Sequence, residues 1–172
     1  MSIPDTETGD ERIPRGAKRV GTMRTLCIVP CGKTKIWDKY PKAGPTMAKH
    51  VYTGPFAKKC RGYAELFYPD SWYILSAKYG FLKPGDIIPG PYNVSFNSKK
   101  THPIDIQTLK KQAGRRKLNR FSNVVVLGGR NYVAIAREVF STKPIHAPLT
   151  GSGGIGNMMK RLNELIAQGV SG

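Results

Sequence analysis

Apolar residues fall along the chain in short runs that are separated by segments with helical spacing. Three runs rich in branched or aromatic residues, Leu26–Val29, Trp72–Ser76 and Asn123–Leu127, predict buried strands. Ile145–Ala147 predicts a short last strand. None of these runs shows strict alternation, which favours strands covered on both faces.

Between the predicted strands, apolar residues recur every three or four positions, as in a helix with one buried face. The predicted helices are Gly54–Phe67, Ile104–Asn119, Tyr132–Phe140 and Asn157–Ala167. The Pro- and Gly-rich segment Lys83–Lys100 predicts a loop. Strands that alternate with helices predict an α/β fold, a three-layer single domain with a mostly parallel central sheet and helices on both faces.

In a parallel sheet of this kind, ligands bind outside the carboxyl ends of the strands. That rule gathers four segments that follow predicted strands: Cys31–Lys35, Ser76–Tyr79, Gly128–Asn131 and His146–Gly156. We expect a single site at this edge, which is called the carboxyl rim below.

The first residues of the chain, its apolar runs and its cysteines indicate the domain organisation and the cellular location. Residues 1–22 are polar and rich in charge, Gly and Pro, and predict a disordered leader before a single domain over residues 23–172. No apolar run approaches the roughly 20 residues that span a bilayer, so we expect a soluble protein without a membrane partner. Three cysteines suit a reducing compartment and predict a cytoplasmic location.

Charge changes the picture most. The chain holds 28 Lys and Arg residues against 11 Asp and Glu residues, a net charge of +17, and residues 1–22 contribute nothing to it. Such a surplus predicts a polyanionic partner such as nucleic acid. The predicted contacts to the nucleic-acid backbone are Lys99, Lys100, Lys110, Lys111, Arg115, Arg116 and Lys117, and Arg120 extends the same basic stretch.

Two phosphate-binding motifs are incomplete. Gly32-Lys33-Thr34 resembles the end of a Walker A loop, but the first glycine of that motif would fall at Cys27. Gly151–Gly156 fits G-x-G-x-x-G, but no strand follows it to complete a βαβ unit. No Cys or His pair has metal-ligand spacing, so we expect neither a metal nor a cofactor.

A longer motif carries a family resemblance. Ile74–Ile88 has the sequence ILSAKYGFLKPGDII, with Pro91 and Tyr92 after it, and resembles the core signature of the YaaA-like superfamily, above all its compact branch with LSAKYG. Pro30–Thr34 and Tyr52–Gly54 are similar to the first-strand loop and the Y-x-G of the same proteins. The resemblance implies that the partner is DNA, double- or single-stranded, and that the protein protects DNA from oxidative damage.

A second resemblance lies near the carboxyl end. His146–Thr150, followed by a Gly-rich turn and a helix, is similar to the His-containing loop of uracil-DNA glycosylases. In that family the His stabilises the leaving base and the next loop wedges into the duplex. The Asp that those enzymes carry in the first-strand loop is absent, since this chain has Cys31-Gly32-Lys33 there.

Four residues are candidate catalytic groups for cleavage of an N-glycosidic bond. His146 would donate to the leaving base, and Asp86 would orient water or steady the sugar cation, unless it only forms a salt bridge with Lys78 or Lys83. Asn93, where superfamily members often have Asp, would pair with a base edge. Lys33 would bind a phosphate or act as an amine nucleophile, and the same alternatives hold for Lys35.

Other rim residues are predicted to bind the substrate, with Tyr79 and Tyr92 stacking on a flipped base. The predicted substrate-binding set is Cys31, Gly32, Lys35, Tyr52, Ser76, Lys78, Tyr79, Tyr92, Gly153 and Gly154. The sequence thus predicts a DNA glycosylase that removes a modified or damaged base in DNA repair. The alternatives are a non-catalytic DNA-binding protein and an enzyme that modifies or exchanges bases in RNA or nucleosides.

Overall fold

The computed structural model describes residues 24–169, so the predicted leader, residues 1–22, lies outside the described residues. The strands are β1 (Thr25–Pro30), β2 (Thr46–Met47), β3 (Trp72–Ser76), β4 (Gly80–Leu82), β5 (Ile87–Ile88), β6 (Asn123–Val126) and β7 (Ile145–His146). The helices are α1 (Ile36–Lys39), α2 (Ala48–Val51), α3 (Pro55–Phe67), α4 (Ile106–Arg115), α5 (Arg130–Val139) and α6 (Ile155–Gln168).

Five strands form the central sheet in the order β4-β3-β1-β6-β7. β1 pairs in parallel with β3 on one side and with β6 on the other, and β7 pairs in parallel with β6. β4 alone runs antiparallel, against β3. The predicted α/β fold with a mostly parallel sheet is therefore confirmed.

The sheet is covered on both faces because the side chains of its strands alternate between two cores. Cys27 and Val29 of β1 belong to the core that includes residues of α3 and α6. Leu26 and Ile28 belong to the other core, which includes residues of α4 and α5. Burial on both faces explains why β1 has a continuous apolar sequence.

Helix ends follow local chemistry. Pro55 occupies the first turn of α3, where its missing N–H costs nothing. At the start of α4, the Asp105 carboxylate accepts a 2.7 Å hydrogen bond from the backbone N–H of Thr108. Lys117 adopts a left-handed conformation, so the predicted helix Ile104–Asn119 divides into α4 and a 3-10 helix, Leu118–Arg120.

The segment predicted as a loop over Lys83–Lys100 holds more structure than expected. Ile87–Ile88 forms β5, which pairs antiparallel with β2. Just before this segment, Gly80–Leu82 forms β4, which the sequence did not indicate because three residues are too few to show a period. Within the described residues, no helix is both long enough and apolar enough to cross a membrane.

Gln112 of α4 fixes the turn between β3 and β4. Its side-chain oxygen accepts from the backbone N–H of Phe81 at 2.9 Å, and its side-chain nitrogen donates to the Tyr79 carbonyl at 2.9 Å. Between those residues, Gly80 has a φ of +77°, and a Cβ there would stand 2.0 Å from the Gln112 side-chain oxygen. The turn therefore requires glycine.

Replacing Gly80 by Ala should lower the free energy of unfolding by about 2–4 kcal/mol, because the substitution strains the backbone and displaces Gln112. Gly62→Ala is the matched control, since a Cβ at this position of α3 meets nothing within 4 Å. That change should raise stability by about 0.5–1 kcal/mol. Urea unfolding of both variants measures the difference, and equal stabilities would contradict the role of Gln112.

Candidate functional site

The carboxyl rim gathers the four predicted segments, because β1, β3, β6 and β7 all run in the same direction. β3 lies on one side of β1 and β6 on the other, although the chain visits β3 first. The connections that leave β1 and β6 therefore diverge, and a crevice opens outside the two strand ends.

A glycine lets the ends of β1 and β6 approach closely. Gly128 has a φ of +120°, and a Cβ there would lie 3.2 Å from the Pro30 Cβ and from the ring of Tyr132. The Tyr132 hydroxyl donates to the Cys31 carbonyl at 3.1 Å and lies 3.2 Å from the Cys31 Sγ. Burial raises the pKa of the Cys31 thiol, and contacts with Tyr132 and Lys35 offset only part of that rise.

Tyr92 connects three segments of the rim. Its hydroxyl lies 2.5 Å from the Tyr52 hydroxyl and 3.1 Å from the Ser76 Oγ. Ser76 Oγ also accepts the backbone N–H groups of Lys78 and Tyr79, which closes the turn after β3. The rings of Tyr79 and Tyr92 meet edge to face, with centroids 5.4 Å apart. Burial raises the pKa of Tyr92 to about 12, so its hydroxyl stays protonated at neutral pH.

Lys35 is buried beside this tyrosine, with 7% of its surface exposed. Its Nζ donates to the Lys33 carbonyl at 3.1 Å and lies 4.6 Å from the centre of the Tyr92 ring. Burial lowers the pKa of the Lys35 amine, and the nearby Cys31 and Asp38 oppose that shift. Lys78 Nζ lies 5.6 Å from the same ring, so two cations face Tyr92.

An open cleft of about 560 Å³ adjoins Lys35 and Tyr92. Its lining residues are Lys33, Thr34, Lys35, Trp37, Asp38, Pro91, Tyr92 and Asn93. The structure therefore brings together four predicted residues, Lys33, Lys35, Tyr92 and Asn93.

Trp37 and Asp38 also line the cleft and were not predicted from the sequence. Asp38 accepts the backbone N–H of Lys35 at 2.7 Å, and the Trp37 indole donates to the Gly44 carbonyl at 2.9 Å. An acid three residues after a helix start is a known capping pattern, and that spacing was available in the sequence. In the part of the chain that the structure describes, no group of His, Cys, Asp or Glu is arranged to hold a metal ion.

Asp86 does not lie at the carboxyl rim, so the expected single site with Asp86 is wrong. β4 turns the chain back, with Leu82 paired to Ile74, so the residues directly after Leu82 lie toward the amino end of β3. There Asp86 accepts from Arg116 at 3.0 Å and from the backbone N–H of Lys83 at 2.9 Å. Its ion partner is thus Arg116, not Lys78 or Lys83.

His146 ends the edge strand β7, where it pairs with Val125. It is exposed and is not among the residues that line the cleft. The Gly-rich turn after it leads into α6, with Gly154 at the start of the helix and Gly153 at a φ of +101°. The predicted contact of His146 with a leaving base stays a prediction.

Three long helices begin at the rim without a side-chain cap. α3, α5 and α6 start after Gly54, Gly129 and Gly154, whereas α4 is capped by Asp105. Backbone N–H groups in an uncapped first turn, together with the helix dipole, favour a bound anion. Gly32 lies next to the start of α3, where its Cβ would be 3.5 Å from that of Ala57.

The basic stretch, residues 99–120, runs from the carboxyl rim toward the end of the sheet at which β3 begins. The backbone N–H of Ile104 donates to the Ala77 carbonyl at 2.7 Å, which places the start of α4 beside the end of β3. A hydrogen bond between Asn131 and Asn97 holds the adjoining loop near the start of α5. The exposed basic residues are Lys99, Lys100, Lys110, Lys111, Arg115, Lys117 and Arg120, and Arg116 is half-buried against Asp86.

Comparisons with known proteins concern nearly the whole described chain. Residues 26–164 match a family described as "Family of unknown function (DUF6884)". The chain is 39% identical over 147 residues to the "Uncharacterized protein YfjM" of Bacillus subtilis (strain 168), which covers 85% of this chain and 97% of that protein. No solved structure gives a significant match.

Tyr92→Phe should lower the free energy of unfolding by about 1–3 kcal/mol, because it removes the buried hydrogen bonds that the Tyr92 hydroxyl makes with the Tyr52 hydroxyl and with Ser76. Tyr79→Phe is the matched control, since the Tyr79 hydroxyl takes no part in these bonds. Thermal unfolding compares the two variants, and an equal stability of both would contradict the role of the Tyr92 hydroxyl.

Proposed function

The chain belongs to the DUF6884 family, and we propose that it binds DNA and removes a modified or damaged base by cleaving the N-glycosidic bond. The observation that carries this proposal is the cleft at the carboxyl rim, where the Tyr92 ring, the Asn93 amide and two lysines meet. A flipped base needs an aromatic face, a hydrogen-bonding edge and cations for its phosphates, and the cleft offers all three.

The size and position of the cleft support a nucleotide as its occupant. A volume of about 560 Å³ lies within the range of roughly 300–1,000 Å³ that small-molecule sites have. Asn93 would bind the base edge through its amide, and Lys33, which is exposed, would contact a flanking phosphate. The uncapped start of α3 would favour the negative charge that develops on the departing base, since Gly54 lies next to Thr34 of the cleft.

The charge distribution supports DNA as the macromolecular partner. Residues 99–120 carry eight basic side chains against one acid, Asp105, and they cover one face of the sheet. The helices on the other face, α3 and α6, carry five basic side chains against two acids. Phosphate contacts are therefore proposed for the α4 face, which begins at the rim.

Motif resemblances point in the same direction. Ile74–Ile88 resembles the YaaA-like signature, which is associated with DNA binding, and His146–Thr150 resembles the His loop of uracil-DNA glycosylases. His146 would then donate to the leaving base from the edge of the rim. Free thiols at Cys27, Cys31 and Cys60 suit action in the cytoplasm.

A DNA-binding protein without catalysis is the second candidate. One observation favours it: Asp86, the acid in the most specific motif, pairs with Arg116 away from the cleft. Among the described residues that line the cleft, Asp38 is the one that carries a carboxylate, and it is exposed to water.

DNA affinity should fall about 10³-fold or more between 50 and 200 mM salt if six or more phosphates are contacted. Lys110→Ala with Lys111→Ala should reduce the slope of log affinity against log salt by about two, since two contacts are lost. Lys58→Ala with Lys160→Ala removes the same charge from the opposite face and should leave the slope unchanged. Fluorescence anisotropy measures both, and equal slopes would contradict the proposed surface.

Base release should be detectable with duplex oligonucleotides that each carry one modified base, followed by alkali to cut at abasic sites. Asn93→Ala should lower the rate on the best substrate by about 10–100-fold, because one bidentate base contact is worth roughly 1–3 kcal/mol. Asn119→Ala, an exposed amide outside the cleft, is the control. If the wild-type protein releases no base and still binds DNA, the binding protein is the better account.

A further inference from the structure

We propose that Lys35 is the amine that attacks C1′ of the deoxyribose and forms a Schiff base with the sugar, an inference that rests on the proposed function. Lys35 differs in burial from Lys33, the other lysine of its loop. Lys35 is buried at the wall of the cleft, with 7% of its surface exposed, whereas Lys33 is exposed at the mouth.

The surroundings of Lys35 fix its amine in place. Its backbone N–H is bonded to Asp38, and the residue forms an antiparallel bridge with Tyr52. Its Nζ is held between the Lys33 carbonyl at 3.1 Å and the Tyr92 ring at 4.6 Å. Lys35 and Tyr92 both line the cleft, so a nucleotide bound there would have its sugar within reach of this nitrogen, and a positioned nucleophile of this kind lowers the entropic part of the barrier.

Protonation also favours Lys35 over its neighbours. Burial lowers the pKa of this amine, so a larger fraction is neutral and able to attack than for an exposed lysine. Cys31 lies nearby, but burial raises the pKa of its thiol, which keeps it in the unreactive protonated form.

Formation of the Schiff base needs only the amine, the nucleotide and proton transfers, with no oxidant or reductant. The Nζ lone pair forms a bond to C1′ as the C1′–N bond to the base breaks; the base leaves with that electron pair and takes up a proton, and the amine loses one. The C1′–O4′ bond then breaks, O4′ gains a proton, and C1′ is double-bonded to Nζ. Loss of the C2′ proton with departure of the 3′-phosphate cuts the strand, and water then releases the sugar from Lys35.

Borohydride trapping tests this step independently of base release. The full chain is incubated with a duplex that carries a synthetic abasic site, and sodium borohydride supplies the hydride that reduces the C=N bond. We expect a stable protein–DNA adduct with wild-type protein, and peptide mapping by mass spectrometry should find the reduced sugar on Lys35.

Variants sharpen the assignment. Lys35→Arg keeps the charge but presents a guanidinium that stays protonated, so the adduct should fall at least 100-fold, and Lys35→Met should do the same. Lys39→Arg, at an exposed lysine of α1 that does not line the cleft, should trap within about threefold of wild type. Circular dichroism and DNA affinity verify folding, and mapping on the wild-type protein needs no variant at all.

The outcomes separate the two proposals. An adduct on Lys33 or on the α-amino group would overturn the assignment of Lys35. Base release from the modified-base panel without any adduct would also overturn it and would leave a hydrolytic glycosylase. If neither an adduct nor base release occurs, both the Lys35 step and the proposed function fail.

Discussion

Burial of β1 on both faces is the constraint on which the rest of the structure depends. Its residues alternate between two cores, with Cys27 and Val29 on one face and Leu26 and Ile28 on the other. The strand can satisfy its backbone only between β3 and β6, and its side chains only between two layers of helices. β1 ends at Pro30, where the chain leaves the sheet. The loop that begins there holds both lysines of the cleft, Lys33 and Lys35.

Next to this loop, the protein buries aromatic rings and also satisfies the hydrogen bonds of their hydroxyl groups. Behind the cleft, hydroxyl groups of Tyr52, Tyr92 and Ser76 share hydrogen bonds, so aromatic bodies are buried while their polar ends are satisfied by one another. Lys35 and Lys78 lie over the Tyr92 ring. The cleft itself is lined by two lysines and one acid, Asp38, so positive charge is in surplus next to an aromatic surface, an arrangement suited to an anionic ligand with a flat ring.

Most of the sheet could be predicted from the sequence because strands buried on both faces leave continuous apolar runs. Trp72–Ser76 is β3 as predicted, and the helices Gly54–Phe67 and Tyr132–Phe140 correspond to α3 and α5 within two residues. The antiparallel β4 left no such run, and the position of Asp86 was misjudged for that reason. The cleft could be predicted in part: the rim rule located Lys33 and Lys35, whereas Trp37 and Asp38 belong to a four-residue helix too short to show a period.

The hydrogen bonds of Gln112 also affect how the outer strand β4 can pair with strands of other protein molecules. β4 is the outer strand of the sheet, and an outer strand exposes backbone donors and acceptors that strands of other molecules can pair with. The Gln112 amide binds the N–H of Phe81 and the carbonyl of Tyr79, as an adjacent strand would. A single side chain from α4 therefore occupies one backbone donor of β4 and one carbonyl of the turn before it, which leaves less of this edge open to pairing with a strand of another molecule.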